Sequence, residues 1–383
     1  MGSEACESPR REPTPRPMGR IGETSPADGT GLRARGPISG EDMLEYALSP
    51  EGLHEALIAC QRGTMWKASV SAWSLDGWER CVRLSRSLMD GSYRPSPPRH
   101  FSITHPKRRE IVSIGIRDRV YQRSLVDNAI YPVMTRSLVR ENCACQEGKG
   151  TDFARDLVER DLRRWWHHHG LDGAVMELDV HGYYAHLRHD VALAPFERKL
   201  CRESYRRVEE ILTTQYAGEI GFAPGSQLVQ LVGICTLDPL DHLIKEGLGV
   251  RCYVRYMDDM LLIGERSQLA VWRAEISRWL GTRGLELNAR KTRVIQLGQR
   301  IPFLGLTFQL TESGRVIRRM RPEKVREERR RLARMVAMAT RGELPRETCD
   351  MAAASWIGYA RRECTGDGCA LQMERYYDGL WRI

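Results

Sequence analysis

A chain of 383 residues is long enough for about two or three domains and a substantial core. Its 59 Lys and Arg against 50 Asp and Glu leave a formal charge of +9 at pH 7, a balance that suits a polyanionic partner. No apolar run approaches the ~18 residues of a membrane span, the N-terminus lacks the apolar core of a secretion signal, and the 11 cysteines recur at no pair spacing, which leaves reduced thiols in a cytoplasmic protein with no membrane association.

Residues 1–40 are rich in Pro, Gly, Arg, Ser and Glu and nearly devoid of large apolar side chains. Such a stretch cannot bury enough surface to offset its ordering entropy, and a disordered leader is expected. From Glu41 to Asp90 apolar residues recur at helical spacing (Leu44, Ala47, Leu48; Leu53, Ala56, Leu57, Cys60; Val82, Leu84, Leu88), and Gly91 to Pro95 stops the last helix. Arg99 to Ile114 reads as a β-hairpin with a basic tip at Pro106-Lys107-Arg108-Arg109. Such a tip is either a solvated face or, near a carboxylate site, a grip for a triphosphate.

Ile116 opens an amphipathic helix through Leu125, Val126 and Ile130. Gly148-Lys149-Gly150-Thr151 hints at a phosphate loop but lacks the rest of the G-x-x-x-x-G-K-[ST] string. A helix from Thr151 to Trp166 follows, and His167-His168-His169 reads as a polar loop, since it offers no i, i+4 pair and no neighbouring acid. Ala174 to Leu178 then forms a short apolar strand ending at Asp179, before a turn and a helix carrying Ala185, Leu187 and Val191. An acid at a strand end is either a helix cap or a ligand.

Val250 to Ile263 reads as two buried strands around a tight turn bearing Asp258 and Asp259. Adjacent carboxylates at such a tip repel one another and lose solvation, so either the turn is an exposed hairpin end or something positive sits there. Mg²⁺ or Mn²⁺ is the natural candidate, because both prefer oxygen ligands. In-line nucleotidyl transfer uses two metals ~3.5–4 Å apart, bridged by acids from separate strands, and Asp179 would supply the second strand. Beyond the turn come an amphipathic helix over Leu269–Leu280, further strands from Arg293 to Leu310 closed by Glu312-Ser313-Gly314, and helices over Pro322–Thr340, Met351–Arg362 and Leu371–Trp381. The Pro322–Thr340 helix carries many arginines, which fits either a backbone grip or a solvated basic face.

Taken in order, Asp179 with Tyr183-Tyr184, Tyr256-Met257-Asp258-Asp259, Leu287-Asn288-Ala289-Arg290-Lys291-Thr292 and Phe303-Leu304-Gly305 resemble the palm motifs of reverse transcriptases. Pro106-Lys107, Arg109 and Arg117-Asp118-Arg119 resemble that family's fingers motifs, and Gly148 to Thr151 is similar to a segment of bacterial members. The resemblance implies an α+β right-hand polymerase fold, with fingers and an antiparallel palm over residues 41–310 and a helical thumb over 311–383. It implies catalysis by Asp179, Asp258 and Asp259 holding two Mg²⁺ or Mn²⁺ ions. Lys107 and Arg109 would then face the triphosphate, and Tyr184 would exclude a ribose 2′-hydroxyl. Pro224, Gly225 and Gln230 would line the nucleotide pocket, and Lys291 would be a proton donor to pyrophosphate.

The implied partners are an RNA template, a DNA or RNA primer and dNTPs, with a small accessory protein as a further candidate. The segment Gly221-Phe222-Ala223-Pro224-Gly225-Ser226-Gln227 looks like that of diversity-generating retroelement enzymes, which replace a Gln by an apolar residue and end in Ser-Gln. A defence-associated or other bacterial reverse transcriptase, and a catalytically degenerate RNA-binding protein of the same fold, are the alternatives.

Overall fold

The computed structural model describes residues 40–104, 109–223 and 225–382. The expected leader, apart from Gly40 at the start of the first helix, therefore lies outside the described residues. The chain forms two compact units, one made of the residues up to Ser96 with Ile114–Ala129, the other of Pro97–Ser113 with Ile130 onward.

The first unit is helical: α1 (Gly40–Leu48), α2 (Pro50–Gln61), α3 (Ala68–Leu75), α4 (Gly77–Met89) and α5 (Ile116–Leu125). Ser49 sets the start of α2, accepting the Gly52 N–H at 3.1 Å with Pro50 in the first turn. Leu53, Leu57, Leu84, Leu88 and Leu125 fill the core at the spacing read from sequence. Asp118 is buried on α5, where it accepts from the Tyr93 hydroxyl at 2.7 Å, the Ser96 N–H at 3.0 Å and the Arg117 guanidinium at 3.1 Å. The Arg-Asp-Arg string thus has a local structural use, tying the chain after α4 to α5.

The second unit is a mixed α/β architecture with antiparallel sheets. Its hairpin pairs β1 (Arg99–Ile103) with β2 (Arg109–Ser113). After α6 (Tyr131–Met134) comes the long helix α7 (Thr151–His169), then β3 (Ala174–Asp179). Helices α8 (Tyr183–His186), α9 (His189–Lys199), α10 (Arg202–Gln215), α11 (Gln227–Thr236) and α12 (Asp238–His242) separate β3 from β4 (Cys252–Tyr256) and β5 (Asp259–Gly264). Helix α13 (Arg266–Gly281) leads to β6 (Arg293–Gln296), completing a four-stranded sheet of order β4-β5-β3-β6. Strands β7 (Ile301–Phe303), β8 (Leu306–Leu310) and β9 (Val316–Met320) form a second sheet. The C-terminal helices are α14 (Pro322–Thr340), α15 (Arg346–Glu363) and α16 (Gly368–Leu380).

Strands β3, β4 and β5 are largely apolar and buried on both faces, whereas the edge strand β6 is mostly exposed. Leu157, Val158 and Leu162 of α7 share one core with Val175, Val254, Leu261 and Ile263, while Tyr253 and Met260 are buried on the alternate positions. Arg155 of α7 extends this packing to α15, donating to the Leu304 carbonyl at 2.5 Å, to Glu363 at 3.1 Å and to the Tyr359 hydroxyl at 2.8 Å. The Phe303-Leu304-Gly305 motif is held at its turn by that guanidinium.

Two readings change, and the weak phosphate-loop hint at Lys149 falls away. The histidine run is helical, not a loop: α7 continues until Gly170 at φ 58°, and Trp165 stacks on His169 at 4.2 Å. No breaker precedes Gly170, so the i, i+4 ring contact extends the helix by another turn. Lys149 is consumed by backbone, donating to the carbonyls of Arg140 at 3.1 Å and Asn142 at 2.9 Å and to Gln146 at 3.1 Å. It closes a loop. Past Glu312-Ser313-Gly314 the sheet goes on, with Val316 pairing back on Leu310.

Candidate functional site

The site begins with a hairpin that leaves only two residues for its turn. Tyr256 pairs with Asp259 across β4 and β5, so Met257 and Asp258 make the whole connection. Met257 sits at φ 57°, a left-handed conformation that costs a non-glycine residue about 1–2 kcal/mol. The Arg255 guanidinium donates to the Met257 carbonyl at 2.9 Å, and Asp258 follows directly.

Strand β3 lies against β5 in a register that sets Asp179 opposite Asp259. Directly opposed residues of an antiparallel pair have Cβ atoms about 4.5–5.5 Å apart and project from one face. Two strands distant in sequence thereby deliver two carboxylates side by side, and the turn adds Asp258. The cluster is electrostatically loaded. Burial, then Asp258 and Asp179, push the Asp259 carboxyl up to about 7. Burial and the Asp179 charge likewise raise Asp258.

The segment after α13 supplies the counter-charge. Lys291 Nζ donates to Asp179 Oδ1, and this contact with the negative potential of all three acids raises the ammonium above its ordinary value. Asn288 completes the grip, its Nδ2 donating to Asp179 Oδ2 at 3.0 Å and its backbone N–H to the Asp179 carbonyl at 2.7 Å. Among the described residues, no group of three or more His, Cys, Asp or Glu forms a ready-made metal cluster. Asp179 is instead engaged by Lys291 and Asn288. The donor types nonetheless fit a hard divalent cation: Asp179 is buried, Asp258 and Asp259 are partly buried, and among the described residues the one cation against them, Lys291, is engaged by Asp179 alone.

Tyr183 is buried, its hydroxyl donating to the Gly233 carbonyl at 2.7 Å. Tyr184 is half-buried, and its ring packs so close to α11 that a Cβ on Gly233 would fall 2.2 Å from the Tyr184 oxygen. Burial, followed by the charges of Cys145 and Asp258, keeps this hydroxyl protonated, which puts Tyr184 within electrostatic reach of the acid turn. Gly225 packs on the hairpin, where any Cβ would meet the Val112 carbonyl oxygen at 2.4 Å, so only glycine fits. Arg109 opens β2 opposite Ile103, on the strand that Gly225 touches. Lys107 and Pro224 lie outside the described residues. Gln230 is exposed on α11.

The structure therefore brings together Asp179, Asp258, Asp259 and Lys291, and it draws Gly225 to the hairpin strand. Asn288 stands in the Leu287–Thr292 motif, and Arg255 directly precedes the Tyr256–Asp259 motif; sequence assigns neither a role. Both are visible only once the strands are paired.

The reverse transcriptase (RNA-dependent DNA polymerase) family pattern matches residues 106–308. That stretch is more than half of the chain and contains both acid stations, and the chain belongs to this family. No curated protein sequence matches it. Among solved structures it is similar to telomerase from Candida albicans, in complex with a TWJ fragment of telomeric RNA, with a TM-score of 0.45 and 12% identity. The match covers 76% of this chain and spans 56% of the telomerase chain. No helix among the described residues is long and apolar enough to cross a membrane.

Proposed function

We propose that the protein is an RNA-directed DNA polymerase that extends a primer with dNTPs by two-metal nucleotidyl transfer, with fingers and palm followed by a thumb-like region from residue 311, in which β9 precedes the helices α14 to α16. The observation that carries this reading is the register of β3 on β5, which sets Asp179 beside Asp259 with Asp258 in the adjoining turn. Asp179, Asp258 and Asp259 would hold two Mg²⁺ or Mn²⁺ ions. Bound there, the ions would acidify a primer 3′-hydroxyl and take up charge on phosphorus and on the departing pyrophosphate. Lys291 balances Asp179 until then, and once freed its ammonium would donate a proton to pyrophosphate. Tyr184, seated on Gly233, would press against the sugar and exclude a 2′-hydroxyl. The test is extension of a DNA primer on a defined RNA template with dNTPs and Mg²⁺ or Mn²⁺. A folded protein that extends on neither RNA nor DNA template would overturn the reading in favour of a degenerate nucleic-acid binder.

The hairpin should serve the triphosphate. With Gly225 packed on β2, Arg109 belongs to a strand that meets the Gly221–Gln227 segment, and Lys107 precedes it in the chain. Arg109→Ala is expected to raise KM for dNTP about tenfold while changing primer–template affinity less. Equal losses in a titration of both would assign the hairpin to template instead.

The Pro224-Gly225-Ser226-Gln227 string supports a place in a diversity-generating retroelement, where an accessory protein would join the template RNA. Proline offers no side-chain amide and no N–H to the nascent pair, so discrimination there would rest on shape. One polar contact is worth about 0.5–1.5 kcal/mol, or roughly two- to tenfold in selectivity. Pro224→Gln is expected to lower misincorporation by that factor when cDNA from both enzymes is sequenced on one template. An unchanged error spectrum at full activity removes Pro224 from the account.

A further inference from the structure

Behind the acid turn lies a charged network that the polymerase reading leaves unused. Arg255 and Asp241 both have fully buried side chains. The guanidinium forks onto the carboxylate, Nε to Oδ1 at 2.7 Å and Nη2 to Oδ2 at 2.5 Å, and the buried Tyr253 hydroxyl donates to the same Oδ1 at 2.7 Å. The remaining N–H groups leave the pair: Nη2 reaches the Ile234 carbonyl of α11 at 3.0 Å, and Nη1 reaches the Met257 carbonyl at 2.9 Å. One planar group therefore ties α11, α12 and the turn together. The backbone of Arg255 is itself fixed, its N–H bonded to the Glu141 carbonyl and its carbonyl to the Cys143 N–H, each at 2.9 Å.

Stability alone is a poor reason for this pair. Removing two charges from water costs several kcal/mol per ion, and well-packed apolar residues of similar volume are often as stable or more so. An apolar pair could not, however, donate to the carbonyl of Met257, the residue held at φ 57° immediately before Asp258. Non-glycine residues persist in such conformations where the surroundings over-determine them. Here the surroundings are one N–H of Arg255, aimed by Asp241.

We propose that Arg255 and Asp241, with Tyr253, are positioning residues that set the Met257-Asp258 turn, so that Asp258 is presented beside Asp259 and Asp179 at the spacing a divalent cation needs. The significance of this device rests on the polymerase reading, but its direct readout does not. Arg255→Lys keeps the charge yet cannot bridge Asp241, Ile234 and Met257 at once, because an ammonium is a point donor rather than a fork. Tyr253→Phe keeps the packing and removes one bond from Asp241.

Mn²⁺ binding to the full-length protein without substrate, followed by the electron paramagnetic resonance of free Mn²⁺, is the measurement. Loss of a supporting group around metal ligands typically costs 10- to 100-fold. Arg255→Lys should weaken Mn²⁺ binding about tenfold and lower the extension rate at saturating dNTP by a similar factor, with primer–template affinity within about twofold. Tyr253→Phe should shift both in the same direction by about two- to fivefold. A purely structural network would lower the unfolding temperature and leave Mn²⁺ affinity of the folded protein unchanged; that result overturns the proposal. Should Arg255→Lys not fold, Tyr253→Phe decides it by the same criterion. Wild-type protein that binds Mn²⁺ but makes no cDNA would defeat the polymerase reading while leaving this proposal to its Mn²⁺ readout. Wild-type protein that binds no Mn²⁺ would defeat both.

Discussion

Asp258→Asn is expected to abolish primer extension on an RNA template, by about a thousandfold or more. The substitution keeps the shape of the two-residue turn and the Met257 contact with Arg255, so fold and primer–template affinity should survive. What it removes is one negative charge from the group of three carboxylates that Asp179 and Asp259 complete. Charge stabilisation at a metal-assisted transfer is worth several kcal/mol, and each 1.36 kcal/mol is a factor of ten in rate. Extension within about tenfold of wild type, by protein shown to be folded, would contradict the assignment of Asp258 as a ligand.

Asp259→Asn should be equally damaging to activity and yet stabilise the protein in the absence of divalent ions. Burial and two neighbouring carboxylates push Asp259 up to about 7, against an unfolded value near 3.9. The folded state therefore binds this proton more tightly than the unfolded state does. The stability that protonation contributes is full below pH ~4 and is lost as pH rises through about 7. At pH 8 the ionised cluster costs on the order of 2–4 kcal/mol, which Asn removes. Without divalent ions, the wild-type unfolding temperature should fall between pH 5 and pH 8, and the variant's should fall less and lie several degrees higher at pH 8. Mg²⁺ should reverse the order, since only wild type gains from binding it. Coincident unfolding curves for the two proteins across that range would mean that Asp259 is not held against its neighbours.

The acid stations are legible as carboxylates at the ends of apolar strands; local pattern leaves their use open, the family resemblance pairs them, and the β3–β5 register shows them side by side. The α14 boundaries coincide with those read from Pro322 and the arginine-rich helical pattern. Other features needed tertiary contacts. Arg255 falls within a segment read as a buried strand, but sequence does not show what a buried guanidinium there would pair with. Its burial depends on Asp241, which lies on another element and appears in sequence only as the end of a Leu-Asp pair. Asn288 looks like an ordinary turn residue until β3 places Asp179 against it. Strand β9 was missed because Val316-Ile317-Arg318-Arg319-Met320 carries two cations in its middle. Arg318 is accommodated there by Asp156 at 2.6 Å and by Glu159, both on α7. The helical histidines are a like case: a run expected to be a polar loop is held in α7, where the Trp165 ring stacks on His169.

The most direct test of the central claim is a crystal structure of the protein with an RNA template, a 3′-deoxy DNA primer, the matching dNTP and Mn²⁺, with data collected at an anomalous wavelength. The account predicts two manganese peaks about 3.5–4 Å apart, enclosed by Asp179, Asp258 and Asp259, with Lys291 released from Asp179 toward the triphosphate. Manganese bound elsewhere, or a bound nucleotide with Lys291 still on Asp179 and no peak at the three acids, would contradict it.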